Sequence, residues 1–287
     1  MLWLLLSMVL SAANFIWFRL FERWQADTRL AVAINYIICV SLAFWSMPQG
    51  GTNDLSISQP WLPAAFVIGF LYVALFVLIG HSARVLGVNI TTTASKMSFV
   101  VPMAAAYLYT HSPFDWRHGI ALVLALLAIW WQSTGGELKV KESGRWLLPL
   151  FIFLGGGLAD GLLQYTEKHQ LPPVQQPLFL MTLFGTAGIF GWIGVGLLSL
   201  QKQIQWNWRS VGAGTLLGST NFSAVYLLLK AFGTGLPAAF VFPMLNVGII
   251  LLTSLAAALL FAEKPHGKQW WGLAAALGAI LLYASSL

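Results

Sequence analysis

Ten apolar stretches follow one another along the chain, and they constrain its fold more than any other feature. They cover residues 2–20, 30–47, 61–80, 89–109, 118–133, 146–165, 177–199, 211–231, 237–261 and 270–285. A helix of about 20 residues is about 30 Å long, which matches the hydrocarbon thickness of a bilayer. Backbone polar groups within the bilayer must be hydrogen-bonded inside the protein, and a helix achieves this within one segment. The sequence therefore predicts an all-α integral membrane protein with ten transmembrane helices.

The composition agrees with a membrane protein and argues against a soluble domain. Charged residues make up 8% of the 287 residues, whereas soluble domains contain about 25%. The net charge of +6 is explained by the basic loops that are typical of membrane proteins, so we expect no nucleic-acid partner. Arg19 and Arg23 follow the first apolar run instead of preceding it, so we expect a retained helix and not a cleaved signal peptide.

Basic residues are divided unequally between the two sets of loops that connect these helices. Eleven lie after odd-numbered helices, namely Arg19, Arg23, Arg29, Arg84, Lys139, Lys141, Arg145, Lys202, Arg209, Lys264 and Lys268. Three lie after even-numbered helices, namely Arg117, Lys168 and Lys230. Because cytoplasmic loops carry an excess of Lys and Arg, the sequence predicts a multi-pass protein of a prokaryotic cytoplasmic membrane with both termini outside.

The chain divides into two similar halves, residues 1–137 and 138–287. Pro113 and Pro265 each stand between two helices, 152 positions apart, and an offset of 146 lays helix 1 over helix 6 with Asn14 on Asp160. Because each half has an odd number of helices, the second half enters the membrane in the opposite orientation. This is the inverted-repeat plan of many secondary transporters, whose substrate site lies near the bilayer midplane between the repeats.

A small set of polar side chains lies deep in the apolar stretches. Its members are Asn14, Lys96, Asp160, Asn221 and Asn246. A lysine or aspartate at the bilayer centre costs about 2.5–3.5 kcal/mol or more, so such residues face a wet cavity or a partner and mark function. Thr92 and Thr93 stand four and three residues before Lys96, on the same helix face. We predict that this face looks into a central cavity, opposite Asn14 and Asp160.

Two questions stay open at the level of the sequence. Lys96 and Asp160 either neutralise each other permanently or act separately on a substrate or a proton, since their expected depths in the membrane do not decide between the two. Asparagines such as Asn14 and Asn246 either contact a substrate or bridge helices, an interaction worth about 0.6 kcal/mol in membrane proteins.

The sequence gives no support for an enzyme. It has no GxSxG or HExxH motif, no cluster of Cys and His residues and no glycine-rich phosphate loop. The single cysteine, Cys39, lies inside an apolar run. We therefore expect no catalytic residue, no metal and no cofactor, and we expect transport to be driven by gradients.

The second half contains Pro243-Met244-Leu245-Asn246-Val247-Gly248-Ile249, then Leu260-Phe261-Ala262-Glu263-Lys264-Pro265 and then Gly272. With these segments and two sets of five helices, the chain resembles the EamA-type branch of the drug/metabolite transporter superfamily. The Ser95-Lys96-Met97-Ser98 stretch also resembles some members. The first half departs from the pattern, because His111 or Ser112 stands where an acidic residue is expected.

The resemblance implies alternating-access transport of a small organic metabolite, often export of an amino acid or a related compound. It also implies that helices 1, 3, 4, 6, 8 and 9 wall the central cavity, while helices 5 and 10 are more peripheral. The expected partners are a small-molecule substrate and membrane lipid, and the chain is expected to be a monomer or a homodimer. Two alternatives remain: a flippase for a lipid or lipid-linked sugar, which needs a lateral opening, and a non-transporting membrane sensor or assembly protein.

Overall fold

The structure is a computed structural model that describes residues 1–47, 59–98, 101, 116–134, 147–204, 206–232, 234, 238–261 and 267–285. Its helices are α1 (Leu2–Arg23), α2 (Thr28–Trp45), α3 (Leu62–Val85), α4 (Val88–Met97), α5 (Trp116–Thr134), α6 (Leu147–His169), α7 (Gln176–Leu200), α8 (Trp208–Phe232), α9 (Ala238–Phe261) and α10 (Lys268–Ala284). A 3₁₀ turn at Pro173–Gln175 precedes α7, and no strand occurs among the described residues. This part of the chain is all-α, which confirms the predicted class.

Five of these helices are long and apolar enough to cross a membrane. They are α1, α2, α3, α6 and α7, the last together with its 3₁₀ turn. Shorter apolar segments, Gly248–Phe261 and Trp270–Ala279, lie within α9 and α10. Several long apolar helices in one chain are the mark of a multi-pass membrane protein.

Some features of the sequence analysis fall outside the described residues. The helix expected over 89–109 is described as α4 to Met97, with Ser98 and Val101 beyond it. Residues outside the described ranges include Pro113, Pro265, His111, Ser112 and Glu263.

The helices pack in a pattern that encloses α4. α2 packs against α7 and α8, α3 against α6 and α7, and α1 against α8 and α9. α4 lies against α3, α6 and α9, and it also contacts α1, α5 and α10. α5 and α10 pack mainly on each other. Because α4 carries Lys96, its six neighbouring helices surround the intramembrane charge.

Glycines allow the closest of these helix contacts. A Cβ atom added to Gly218 of α8 would lie 2.6 Å from the backbone oxygen of Asn35 in α2. A Cβ on Gly214, one turn earlier, would lie 2.6 Å from the backbone oxygen of Ala31. Small residues of this kind let two membrane helices approach to backbone contact, and they fix how α2 and α8 cross.

Basic residues of several helices meet at one end of the bundle, which we call the basic end. Its hydrogen bonds join Arg19 to the backbone oxygen of Arg84 (2.9 Å), Arg23 to that of Leu260 (3.0 Å), Arg29 to that of Gln203 (2.8 Å) and Arg209 to the side chain of Gln25 (2.6 Å). These contacts bring the last turns of α1, α3 and α9 beside the first turns of α2 and α8.

Candidate functional site

A cavity lies between α1, α3, α4, α6, α8 and α9. Its volume is about 160 Å³. Among its described lining residues, none comes from α5 or α10. The six walls are the helices that the family resemblance implies.

Five of the seven residues that the sequence singled out line this cavity: Asn14, Lys96, Asp160, Asn221 and Asn246. The other two, Thr92 and Thr93, are buried in α4 and are not among the lining residues. The part of α4 that reaches the cavity is its last turn, through Ser95 and Lys96. Thr92 and Thr93 therefore contribute to packing within the bundle.

Two opposite charges share the cavity without forming a close ion pair. Lys96 Nζ stands 5.6 Å from the centroid of the Phe15 ring, a cation–π contact. Asp160 Oδ2 accepts a hydrogen bond from Ser98 Oγ at 3.2 Å. Among the described residues, neither charge has an oppositely charged partner within 4.0 Å. The direct contacts of each charge are therefore with neutral groups, while the two charges still attract each other across the cavity.

The asparagines of the cavity differ in the hydrogen bonds that their side-chain amides already make. Asn14 Oδ1 accepts from Thr220 Oγ1 at 2.6 Å. Asn221 Nδ2 donates to Asn35 Oδ1 at 3.2 Å, which joins α8 to α2. The Asn246 amide has no hydrogen-bond partner in the described part of the chain, and Asn246 is 7% exposed. Asn221 is thus partly structural, while Asn14 and Asn246 keep hydrogen-bonding capacity for a ligand.

Sequence reasoning missed several lining residues. Tyr72 of α3 and Ser11 of α1 add hydroxyl groups to the wall. Both could have been found by the feature that identified the asparagines, namely a polar side chain within an apolar run. Phe18 and Phe76 also line the cavity, but an aromatic residue in an apolar run faces lipid, a neighbouring helix or a cavity alike, so the sequence carried no signal for them.

The lining residues of the two halves are related by constant offsets. α1 contributes Ser11, Asn14, Phe15 and Phe18, and adding 145 gives the α6 residues Gly156, Ala159, Asp160 and Leu163. α3 contributes Tyr72, Leu75, Phe76 and Ile79, and adding 149 gives the α8 residues Asn221, Ala224, Val225 and Leu228. α4 contributes Ser95 and Lys96, and adding 150 gives Leu245 and Asn246 of α9. Every lining residue therefore has a counterpart in the other half.

The offset of 145 between the lining residues of α1 and α6 differs by one from the offset of 146 that the sequence suggested for the first helix of each half. An offset of 146 pairs Asn14 with Asp160, whereas the cavity lining pairs Asn14 with Ala159 and Phe15 with Asp160. Lys96 is paired with Asn246. At these offsets, the positions that correspond to Asp160 and Lys96 carry the uncharged residues Phe15 and Asn246.

A contact within the first half has no equally extensive counterpart in the second half. Near the basic end, α1 packs against α3, with the Phe18 and Phe76 rings 5.6 Å apart at an angle of 72°. Arg19 and Arg84 add the hydrogen bond described above. The corresponding helices α6 and α8 do not pack on each other in this way. Among the described residues, α1 and α3 therefore close on each other beside the cavity, whereas α6 and α8 pack less closely.

Comparisons with known proteins support the fold but identify no function. No family model matches the chain. It is 25% identical over 287 residues to an uncharacterized protein of Haemophilus influenzae, covering 96% of this chain and 95% of that protein. A solved crystal structure resembles it with a TM-score of 0.56 at 10% identity, covering 98% of this chain and 99% of the other. The likeness extends over the whole length of both chains and shows that a protein of known structure shares this helical fold.

Proposed function

We propose that this protein is a secondary carrier that moves a small zwitterionic metabolite across the cytoplasmic membrane by alternating access, as the resemblance to EamA-type transporters implies. The observation that carries the proposal is the cavity whose wall holds Lys96, Asp160 and three asparagine side chains, contributed by helices of both halves. A carrier needs such a site at the interface between its repeats.

The packing of the helices supports two inverted five-helix repeats within a ten-helix span. If the halves are repeats, each helix of α1–α5 corresponds to the helix five places later, and each contact should have a corresponding contact. The contacts α2–α8, α1–α8 and α1–α9 then correspond to α3–α7, α3–α6 and α4–α6, and all six occur. The contacts α2–α7, α4–α9 and α5–α10 correspond to themselves. The weaker packing of α6 on α8 than of α1 on α3 supports alternating access, in which one repeat moves against the other so that the site faces each side of the membrane in turn.

The separated charges support a zwitterionic solute. A carboxylate near Lys96 and an ammonium group near Asp160 would satisfy both charges, while the amides of Asn14 and Asn246 would bind further polar atoms. Each charge-assisted hydrogen bond of this kind is worth about 1.5–3 kcal/mol. A bound zwitterion would thus compensate both charges within the cavity.

The size of the cavity supports a compact solute over a lipid. A volume of about 160 Å³ is several times the roughly 30 Å³ that one water molecule takes up in the liquid. An amino acid is of this size, whereas a phospholipid or a lipid-linked sugar is several times larger. The basic end is taken as cytoplasmic, because it gathers Arg19, Arg23, Arg29 and Arg209.

Counterflow in proteoliposomes tests the proposal. Liposomes with the purified protein are loaded with one unlabelled amino acid at a time, and the transient accumulation of the same radiolabelled compound is measured. We expect accumulation for at least one zwitterion, and its loss in Lys96→Met. Lys230→Met is the matched control, since Lys230 contacts the rings of Trp3 and Tyr226 outside the cavity.

The alternatives give different results in the same vesicles. Transbilayer movement of a fluorescent phospholipid without amino-acid counterflow would indicate a flippase. Absence of both, with folded and correctly inserted protein, would contradict transport and favour a sensor or an assembly protein.

A further inference from the structure

A surface groove lies between α1 and α8 at the basic end of the bundle. It is lined by Arg23, Trp24, Arg209, Gly212, Ala213 and Leu216, and its volume is about 580 Å³. We call it the α1–α8 groove. None of its lining residues lines the central cavity, so the groove is a separate feature.

Two arginines at the rim of the groove are held in place by neutral groups. Arg23 Nη2 donates to the backbone oxygen of Leu260 at 3.0 Å, and its guanidinium carbon stands 5.0 Å from the Phe261 ring centroid. Arg209 Nη1 donates to Gln25 Oε1 at 2.6 Å. Neither arginine has a carboxylate within 4.0 Å among the described residues. A guanidinium has five N–H donors, so most donors of each remain for an anion.

The floor of the groove is small and apolar. Arg209, Gly212, Ala213 and Leu216 follow one face of α8 at the spacing of successive helical turns. Seven residues of helix rise about 10 Å, so the floor extends from the charged rim along the apolar span. A Cβ added to Gly212 would meet no atom within 4 Å, which shows that the groove is open at this point.

Trp24 locates the rim in the interfacial layer of a membrane. It is 37% exposed and stacks on Trp17, with ring centroids 6.2 Å apart. Tryptophan is enriched where a membrane span meets the headgroup layer. The arginines beside it therefore lie at headgroup depth, and the floor below them lies at acyl-chain depth.

We propose that the α1–α8 groove binds an anionic phospholipid of the surrounding leaflet, with its phosphate between Arg23 and Arg209 and one acyl chain along Gly212, Ala213 and Leu216. Arginine binds phosphate oxygens in a bidentate manner, which a zwitterionic lipid satisfies less well because its own cation competes. Basic pockets between membrane helices bind anionic headgroups by this chemistry. A free phosphate ion would use the rim alone and leave the apolar floor bare.

Native mass spectrometry of the detergent-purified full chain tests the assignment. Equal concentrations of phosphatidylglycerol and phosphatidylcholine are added, and lipid adducts are counted. We expect phosphatidylglycerol to be preferred, and we expect Arg23→Gln with Arg209→Gln to reduce its binding by roughly tenfold or more, since each basic residue contributes to headgroup attraction. The matched control is Lys202→Gln with Lys268→Gln, which removes two exposed charges outside the groove and should leave binding unchanged.

A second variant tests the floor independently of charge. Gly212→Phe keeps both arginines, and its Cβ meets no atom within 4 Å, so the variant should fold while its bulky side chain narrows the path of the acyl chain. We expect it to lose phosphatidylglycerol as the double arginine variant does. Equal binding of both lipids, an equal loss in the lysine control, full binding by Gly212→Phe, or displacement of the lipid by millimolar inorganic phosphate would each overturn the proposal. The test does not depend on transport activity.

Discussion

Replacing Lys96 by Met should remove transport while leaving the fold nearly intact. Two unit charges about 4 Å apart attract by about 4 kcal/mol at an effective dielectric constant of about 20. Removing the lysine gives up an attraction of at most this size, because Lys96 and Asp160 form no ion pair within 4.0 Å. It also removes an intramembrane cation that costs about 2.5–3.5 kcal/mol. The lost attraction and the relieved cost of the buried cation are similar in size and opposite in sign, so they nearly cancel.

The expected stability change is therefore small. Asp160 keeps its hydrogen bond from Ser98, so the variant does not leave the acid without a partner. We expect the apparent melting temperature of Lys96→Met in detergent to stay within a few degrees of the wild type. Removing one partner of a tightly paired buried ion pair would instead cost about 3–5 kcal/mol and produce a clear decrease.

The expected effect on transport is large. A charge-assisted hydrogen bond from Lys96 to a substrate carboxylate is worth about 1.5–3 kcal/mol, which is roughly tenfold to a hundredfold in the half-saturation concentration. Counterflow measured over a range of substrate concentrations gives this number. Lys96→Arg keeps the cation and should retain part of the activity, while Asp160→Asn should impair recognition of the substrate ammonium group.

The double variant Lys96→Met with Asp160→Asn tests whether Lys96 and Asp160 each bind the substrate or only neutralise each other. If each charge binds its own part of a zwitterion, the double variant should be as inactive as the worse single variant. Recovery of wild-type counterflow in the double variant, together with a destabilised single variant, would mean that the two side chains serve to neutralise each other. That result would refute the zwitterion reasoning.

Three further predictions concern the fold and the orientation. Gly218→Val should lower the apparent melting temperature by several degrees, because its Cβ would stand 2.6 Å from the backbone oxygen of Asn35 and overpacking costs about 1–3 kcal/mol; Gly212→Ala, with open space at its Cβ, is the control and should show no such decrease. Asp27→Ala should destabilise the protein by about 1 kcal/mol, since Asp27 caps α2 by accepting from the backbone N–H groups of Arg29 and Leu30; a thermal scan that shows no change would contradict this role. A periplasm-specific reporter fused after Leu287 should be active and a cytoplasm-specific one inactive, and the opposite pattern would reverse the proposed orientation.

The hydropathy of the sequence predicted the helices well because membrane burial leaves a strong compositional signal. The stretch 30–47 corresponds to Thr28–Trp45, and 211–231 lies within Trp208–Phe232. α3 was predicted to end at residue 80 but continues to Val85. Apolar composition reports where the bilayer ends, whereas the backbone hydrogen bonds of α3 continue through the polar residues His81, Ser82 and Arg84 at the basic end.

The candidate site was partly predictable for the same reason. Polar residues within apolar runs are costly, so Lys96, Asp160 and Asn246 stood out. The face that each helix turns to the cavity depends on how helices pack, and the sequence does not contain this information in readable form. Thr92 and Thr93 share a face with Lys96 by spacing, yet the body of α4 is covered by its neighbours and its last turn alone reaches the cavity.

Thiol accessibility at a cavity position tests the proposal that this protein is a carrier whose cavity opens to each side of the membrane in turn. Ser95 lines the cavity, and Ser95→Cys in a Cys39→Ser background provides one thiol of nearly the same shape, since Cys39 is the only native cysteine. A membrane-impermeant maleimide is applied to right-side-out and to inside-out vesicles. We predict that Cys at position 95 is labelled in both preparations, at rates that substrate changes in opposite directions. Labelling from one side alone, with or without substrate, would contradict alternating access.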